Sequence, residues 1–366
     1  MKSLAFAGND VHKNSVTVAV YRSNETEPFL EKTVATDKGK IQKLYASLAA
    51  EYEIRACYEA SCLGYVFQEW LAEIGVHCDV IAPGSIPLTK GRRIKTDSRD
   101  ARALAIQYRA GSLSIVHVPT KQERSVRGLT RMRSQIVCQL HQARQHLLKF
   151  LLGFGFVYRD GSHWTQKHRS WLTTIDLDDD ADQFELDQYR QMIEFIEGQL
   201  RCTDRKIDEV AASPEYAERV GILRCFRGIN TITAISIIAE AIDFSRFKDA
   251  RHFMAFLGMV PSQYSSGESR VIGSITKRGN SRLRRLLVEA AWHYRHRPYV
   301  SDNLQMRQKD QSVAAVAQAY RAQQRLHTKY TRMTARGKCS QKTVVAVARE
   351  LSGFVWAAMT SVPVVH

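Results

Sequence analysis

Four carboxylates stand where they could gather a divalent cation. Asp10 closes a short apolar run, Leu4-Ala-Phe-Ala-Gly-Asn-Asp10, and Glu59 closes another, Ile54-Arg-Ala-Cys-Tyr-Glu59. Asp97 and Asp100 lie three apart in Lys95-Thr-Asp-Ser-Arg-Asp100, so on a helix they share a face. Acids at two strand ends and a helix start can converge on a pair of Mg2+ or Mn2+ ions. Such ions polarise a phosphodiester and stabilise its entering and leaving oxygens. Taken singly, each acid has a plainer reading: Asp10 in a turn, Glu59 on the surface, Asp97 as a helix N-cap with Asp100 complementing the dipole. The apolar setting of Asp10 and Glu59, with no basic partner adjacent in sequence, favours a metal or a function instead.

The elements that must carry these acids read as α/β. An apolar run at 4–10, a turn at His12-Lys-Asn14 and the alternation Ser15-Val-Thr-Val-Ala-Val-Tyr21 predict a hairpin, and 31–36 adds a third strand. Helical spacing follows at 40–52, a strand at 54–59, a helix at 64–74, a strand at 77–81 and a helix at 97–109. That is the order of a ribonuclease H-like domain, expected over 1–120. Residues 121–152 and 189–210 place apolar side chains three or four apart, joined by an irregular stretch at 153–183. This pattern predicts an antiparallel helical stalk or coiled coil over 121–215. The remainder, 216–366, reads as mostly helical with one Gly/Ser-rich loop, Pro261-Ser-Gln-Tyr-Ser-Ser-Gly267.

Charge is segregated along this plan. The chain of 366 residues carries a net +16, but residues 1–215 contribute only +1, whereas 216–366 hold 24 Lys and Arg against 9 Asp and Glu. Within the first part, 90–149 is +11 and 176–215 is −9. Two basic surfaces separated by an acidic one suit a polyanionic partner, because Lys and Arg displace counterions from a phosphate backbone. Seven cysteines without CxxC pairing predict reduced, mostly buried thiols. No run reaches the roughly 18 apolar residues of a membrane span, and no signal peptide is read, so a soluble cytoplasmic protein is expected.

Basic residues cluster at two places. Lys90, Arg92, Arg93, Lys95 and Arg99 flank the helix acids and could hold a strand at the metal. Lys277, Arg278, Arg282, Arg284 and Arg285 surround a Gly-Asn turn with hardly an acid nearby, which points to phosphate contact. Gly228-Ile-Asn-Thr-Ile-Thr-Ala234, after Arg224, resembles a helix-hairpin-helix whose tight turn offers backbone N–H groups to a phosphate. Asn230 stands where such hairpins usually carry a second Gly, and Asn tolerates the positive φ such a turn can need. An ordinary helical turn fits the same residues. On composition alone the Tyr264-Ser-Ser-Gly267 loop is a flexible connection.

Together these residues resemble the DEDD transposases of the insertion-sequence-110 type, which include Piv-like site-specific invertases and bridge-RNA-guided recombinases. The resemblance rests on Gly8-Asn-Asp-Val-His-Lys13, Tyr58-Glu-Ala-Ser61 and Lys95-Thr-Asp-Ser-Arg-Asp-Ala101 in the first part. In the second it rests on Gly228–Ala234, Phe256-Leu-Gly-Met-Val-Pro261, Ser265-Ser-Gly267 and Thr276-Lys-Arg-Gly-Asn-Ser-Arg-Leu-Arg-Arg285. It implies a RuvC-like domain whose tetrad is Asp10, Glu59, Asp97 and Asp100, and a C-terminal transposase domain with a nucleophilic serine. That role falls on Ser266, before Gly267 and five residues after Pro261, with Ser265 as the alternative. Asn230 and the acidic Glu268 depart from the pattern. The implied activity is DNA cutting and rejoining through a phosphoserine, by a dimer or tetramer on donor and target DNA, with a structured guide RNA as partner. A metal-only nuclease of the junction-resolvase kind, or a non-catalytic nucleic-acid binder, are the competing expectations.

Overall fold

A computed structural model describes residues 2–61, 63–83, 96–266 and 269–361, and within it the side chains of 264–271 stay outside the description. Lys90, Arg92, Arg93 and Lys95 therefore lie outside the described residues. The chain divides into two compact units, Met1–Pro119 and Thr120–His366.

The first unit is built on a six-stranded mixed sheet. Alternating apolar residues make β1 (Ser3–Val11) and β2 (Ser15–Arg22) an antiparallel hairpin, and β3 (Leu30–Ala35) pairs antiparallel on β2. The helix α1 (Lys38–Glu51) starts at Asp37, whose carboxylate accepts from Lys40 N. It returns the chain to β4 (Tyr52–Glu59), parallel to β1. Next come α2 (Val66–Ala72), β5 (His77–Ile81) parallel to β4, α3 (Asp97–Arg109) and the short β6 (Ile115–Val116). The strand order β3-β2-β1-β4-β5-β6 is ribonuclease H-like, as the element order predicts. The two-residue β6 was not legible in the sequence, being too short to show any period.

Strand alternation sorts β1 between two faces. Ala5, Ala7 and Val11 pack with Ile41, Tyr45, Tyr58 and Phe67, and buried Asn9 accepts from Tyr45 Oη and donates to the Cys57 carbonyl. Phe6, Gly8 and Asp10 take the opposite face, which α3 covers. Phe6 meets Tyr108 edge-on at 6.1 Å, while Ala19 and Tyr21 pack on Ala101 and Ala105. At Gly8 the helix comes so near that an added Cβ would lie 2.2 Å from the Ala101 carbonyl oxygen and 2.4 Å from Ala105 N. Backbone cannot yield as a side-chain tip can, so α3 would have to move. Gly8→Ala is expected to cost about 2–3 kcal/mol in urea unfolding, the range of an overpacked core. Unchanged stability would show that α3 has slack at this contact.

The second unit is mostly helical. A capping box between Thr120 and Glu123 starts the long α4 (Lys121–Gly153), and Asp179 caps the equally long α6 (Asp180–Ala211). Between them lies α5 (Gln166–Thr173), inside the stretch expected to be irregular. Leu140, Ala143, Leu147 and Leu151 of α4 pack with Leu186 and Ile193 of α6. Arg133 pairs with Asp204 and Arg144 with Glu197, so the two helices run antiparallel. Those pairs also amend the charge map: part of the basic 90–149 segment neutralises the acidic 176–215 segment within the fold.

Beyond α6 come α7 (Ala217–Arg224), α8 (Thr231–Ala241) and α9 (Ala250–Phe256), then the hairpin β7 (Pro261–Ser266) and β8 (Ser269–Ile275). The Gly/Ser-rich stretch read as a loop is thus largely strand. Cross-strand pairing, which composition does not report, overrides its weak propensity. The unit ends with α10 (Ser281–Ala291), a 3-10 turn Trp292–Arg295, α11 (Asp302–Gln308), α12 (Val313–Ala335) and α13 (Ser340–Thr360). Its core gathers α7, α8, α10, α12 and α13 around Phe226, Ile235, Leu283, Leu326 and Leu351. Of the six described cysteines, Cys57, Cys78 and Cys225 are buried while Cys138, Cys202 and Cys339 are exposed, so burial is less general than expected. Among the described residues no helix is long and apolar enough to cross a membrane.

Candidate active site

The close approach of α3 at Gly8 sets the first helical turn beside the end of β1. Asp97 is the first residue of α3, and Thr96 is the N-cap, without a side-chain capping bond. The capping role considered for Asp97 is therefore not the one it has; as an acid in the first turn it faces the positive helix end. Its carboxylate joins Asp10 around His12, whose Nε2 lies 3.1 Å from Asp10 Oδ2 and 3.6 Å from Asp97 Oδ1. One ligand atom from each of the three falls within 4.8 Å of the others. The turn holding His12 is fixed by its own N–H donating to the Ser15 carbonyl and by Thr36 Oγ1 donating to the His12 carbonyl.

Electrostatics distinguish the acids. The Asp10 side chain is 19% exposed against 57% for Asp97. Burial raises the Asp10 pKa above the ordinary aspartate value, His12 opposes the rise, and the negative charges of Asp97 and Asp100 add to it. Asp100 is thus close enough to be felt, although it stands outside the three-residue cluster. Glu59 ends β4 one step beyond the Asn9–Tyr58 register pair, exposed, and shares the α3 face with Cys57 by strand alternation. The geometry brings together Asp10, Asp97 and His12, with Asp100 and Glu59 around them. Two carboxylates this close could share a divalent cation, and the imidazole between them is placed to hydrogen-bond to Asp10.

Sequence reading missed His12. An Asp-x-His spacing at a strand end was the available signal, but a turn residue gives no hint of which way its ring folds. Arg99, on the same turn of α3, is exposed.

In the second unit the motif residues divide between scaffold and surface. Gly258 and Gly279, both at positive φ, let 256–258 and 276–280 lie backbone to backbone; a Cβ on Gly279 would fall 2.1 Å from the Phe256 carbonyl. Lys277 N donates to the Gly258 carbonyl and Asn280 N to that of Phe256. Asn280 also caps α10 by accepting from Leu283 N and donates to Glu240. Glu240, on α8, is buried and takes a two-armed contact from Arg131 of α4 at 2.7 and 2.8 Å. Burial would raise its pKa, yet Arg131 and Asn280 hold it below the ordinary glutamate value. Arg284 donates to the Leu257 carbonyl and serves this scaffold. Lys277, Arg278 and Arg285 are exposed and Arg282 is half-buried.

The hairpin from α7 to α8 turns at Gly228, with φ +82°. Asn230 does not take positive φ. It is extended, and its side chain caps α8 by accepting from Thr233 N at 2.8 Å. Ser266 is the last residue of β7 and pairs in register with Ser269, and Ser265 precedes it on the strand. Glu268 and Gly267 lie outside the described residues.

Two family models match the chain. One, described as a transposase of the DEDD type, covers residues 7–155, and the other, described as the transposase IS116/IS110/IS902 family, covers 221–305. The chain is 36% identical over 356 residues to y4qE of Sinorhizobium fredii, spanning 96% of this chain and 88% of that protein. It is 33% identical over 342 residues to the transposase for insertion sequence element IS1533 of Leptospira borgpetersenii, spanning 92% and 99%. With the transposase for IS1328 of Yersinia enterocolitica it shares 28% over 242 residues, 65% of this chain and 70% of that one.

Proposed function

The chain belongs to the IS116/IS110/IS902 family of transposases, enzymes that transfer DNA strands, and from that premise we propose how its residues divide the work. Family membership removes the non-catalytic binder from the competing expectations. Asp10, Glu59, Asp97 and Asp100 form the carboxylate site, with His12 orienting Asp10 and Asp97. The observation that carries this reading is the Asp10–His12–Asp97 cluster beneath the first turn of α3. Mg2+ or Mn2+ held by the four acids would supply electrostatic stabilisation to a phosphodiester under attack.

Ser266 is the nucleophile. Its hydroxyl oxygen bonds to phosphorus, the bond from phosphorus to the leaving strand oxygen breaks, and the serine proton ends on that oxygen. Rejoining reverses the step with the hydroxyl of the exchanged strand, which restores the serine. Exposed Lys277, Arg278 and Arg285, with Arg282, and Arg99 on α3 contact phosphates, as do Arg92, Arg93 and Lys95. Along the chain the work divides into a RuvC-like domain over 1–120, a stalk over 121–215 made by the antiparallel α4–α6 pair, and a transposase domain over 216–366 in which the α7–α8 turn acts as a helix-hairpin-helix. Phe184, Met192 and Phe195 sit at helical spacing on α6 and are 66%, 49% and 66% exposed, which supports pairing of the stalk in a homo-oligomer. A structured guide RNA is the second polyanion.

Purified protein given donor and target DNA is expected to join strands with Mg2+ and to lose that activity in EDTA, with return on adding Mg2+ or Mn2+. Joining at full rate in EDTA would overturn the carboxylate site. Full-rate joining after nuclease treatment of the protein would overturn the RNA requirement.

A further inference from the structure

A hollow of about 340 Å3 opens in the second unit beside the Gly228 turn, and its lining contains no carboxylate. Arg227, Asn230, His293, Tyr299, Asn303 and Arg307 face it. Its walls are tightly set. A Cβ on Gly228 would fall 2.5 Å from the Ala290 carbonyl and 2.9 Å from the His293 ring, so the turn backs directly onto the end of α10. Arg307 donates one arm to the Ile229 carbonyl at 2.7 Å, and Arg227 one arm to the Arg297 carbonyl at 2.8 Å. Each guanidinium is thereby anchored with donors to spare. The Nε of Arg307 is buried without a hydrogen-bond partner among the described residues, and so is that of Arg224 close by. Partial burial, with Arg224 adding to it, lowers the Arg307 pKa.

Cations gathered around a hollow, partly desolvated and without an acid, are costly unless an anion completes the set. Elsewhere in this unit the fold provides such acids: Glu240 answers Arg131, and Glu350 answers Arg325 and Lys329. Around this hollow, among the described residues, it lines the wall with none. The hollow is roughly ten times the ~30 Å3 share of a water, room for a phosphate with part of its sugar. The turn also brings neutral donors, since Asn230 spends its side-chain oxygen on Thr233 N and keeps its amide N–H groups.

We propose that this hollow is a phosphate-binding site that seats one backbone phosphate of the DNA on which the enzyme acts, held by Arg227 and Arg307 with Asn303 and Asn230 as neutral donors. The inference rests on the reading that DNA is the substrate and adds a contact outside the carboxylate and serine sites. Phosphate contacts of this kind fix register on the strand without reading its bases.

The test is titration of full-length protein into labelled duplex DNA by fluorescence anisotropy across a range of salt concentrations. Arg227→Ala and Asn303→Asp are compared with wild type, and circular dichroism checks their fold. Both variants are expected to bind roughly five- to tenfold more weakly, the size of one charge-assisted contact. Their log–log salt slopes should be shallower by about 0.9, and Arg227→Lys should recover most of the affinity. An unchanged slope in folded Asn303→Asp overturns the proposal, as does a slope that changes for structured RNA but not for duplex DNA. Saturable binding of inorganic phosphate that Arg227→Ala abolishes, with the DNA slope intact, would assign the hollow to a free anion and also overturn it. Wild-type protein that binds no DNA would instead remove the substrate reading itself, and this inference with it.

Discussion

Asp10→Asn is expected to lower strand cleavage by about three orders of magnitude while the folded protein keeps its affinity for DNA, a loss typical of removing one preorganised electrostatic group from a reacting phosphate. Asn preserves the shape of Asp10 and can still accept from His12 Nε2, now 3.1 Å away. What it loses is the negative charge that would hold a divalent cation. Stability supplies the control. Asp10 is crowded by Asp97 and Asp100, so neutralising it relieves repulsion, and the melting temperature at neutral pH should hold or rise. A loss of activity without a loss of stability separates a working group from a structural one. Glu59→Gln and Asp100→Asn should lose cleavage in the same way. Full activity in any two of these three variants would end the metal-site assignment. Asp97, more exposed, should show a smaller effect.

The second large effect concerns the serine. Ser266→Ala should bind DNA, melt like wild type and form no covalent protein–DNA adduct, whereas Ser265→Ala should still form one. An adduct mapped by peptide mass spectrometry to another residue would refute the assignment, and no adduct in the wild type would favour the metal-only nuclease. Because the carboxylates and the serine belong to different compact units, a further result is informative. In an oligomer the serine of one protomer can serve the carboxylates of another. Mixing Asp10→Asn protein with Ser266→Ala protein would then restore part of the cleavage. Mixed oligomers that demonstrably form and yet stay inactive would confine the site to one chain.

The sequence by itself determined the elements that local pattern controls. Short apolar runs marked β1 and β4, period-two alternation marked β2, and the helix expected at 97–109 is α3, with the same bounds. The candidate acids were visible too, Asp10 and Glu59 by their apolar surroundings and Asp97 and Asp100 by their spacing of three. Tertiary structure decided which of them meet. Gly8 lacks the Cβ that would hold α3 off the sheet, and that close approach helps to bring Asp97 to Asp10. The fold of the turn after β1, pinned by Ser15 and Thr36, turned His12 from a loop residue into the bridge between two carboxylates. In the second unit, Arg284 looked like a member of a basic phosphate face, but the approach of Gly258 to Gly279 gave it a scaffold partner in the Leu257 carbonyl, while Asn280 of the adjacent turn donates to Glu240. The β7–β8 hairpin was hidden because a strand in Ser- and Gly-rich sequence exists by pairing rather than by propensity. Patterns within a window report the backbone's local choice, whereas these contacts join residues from distant segments and arise only when the chain closes on itself.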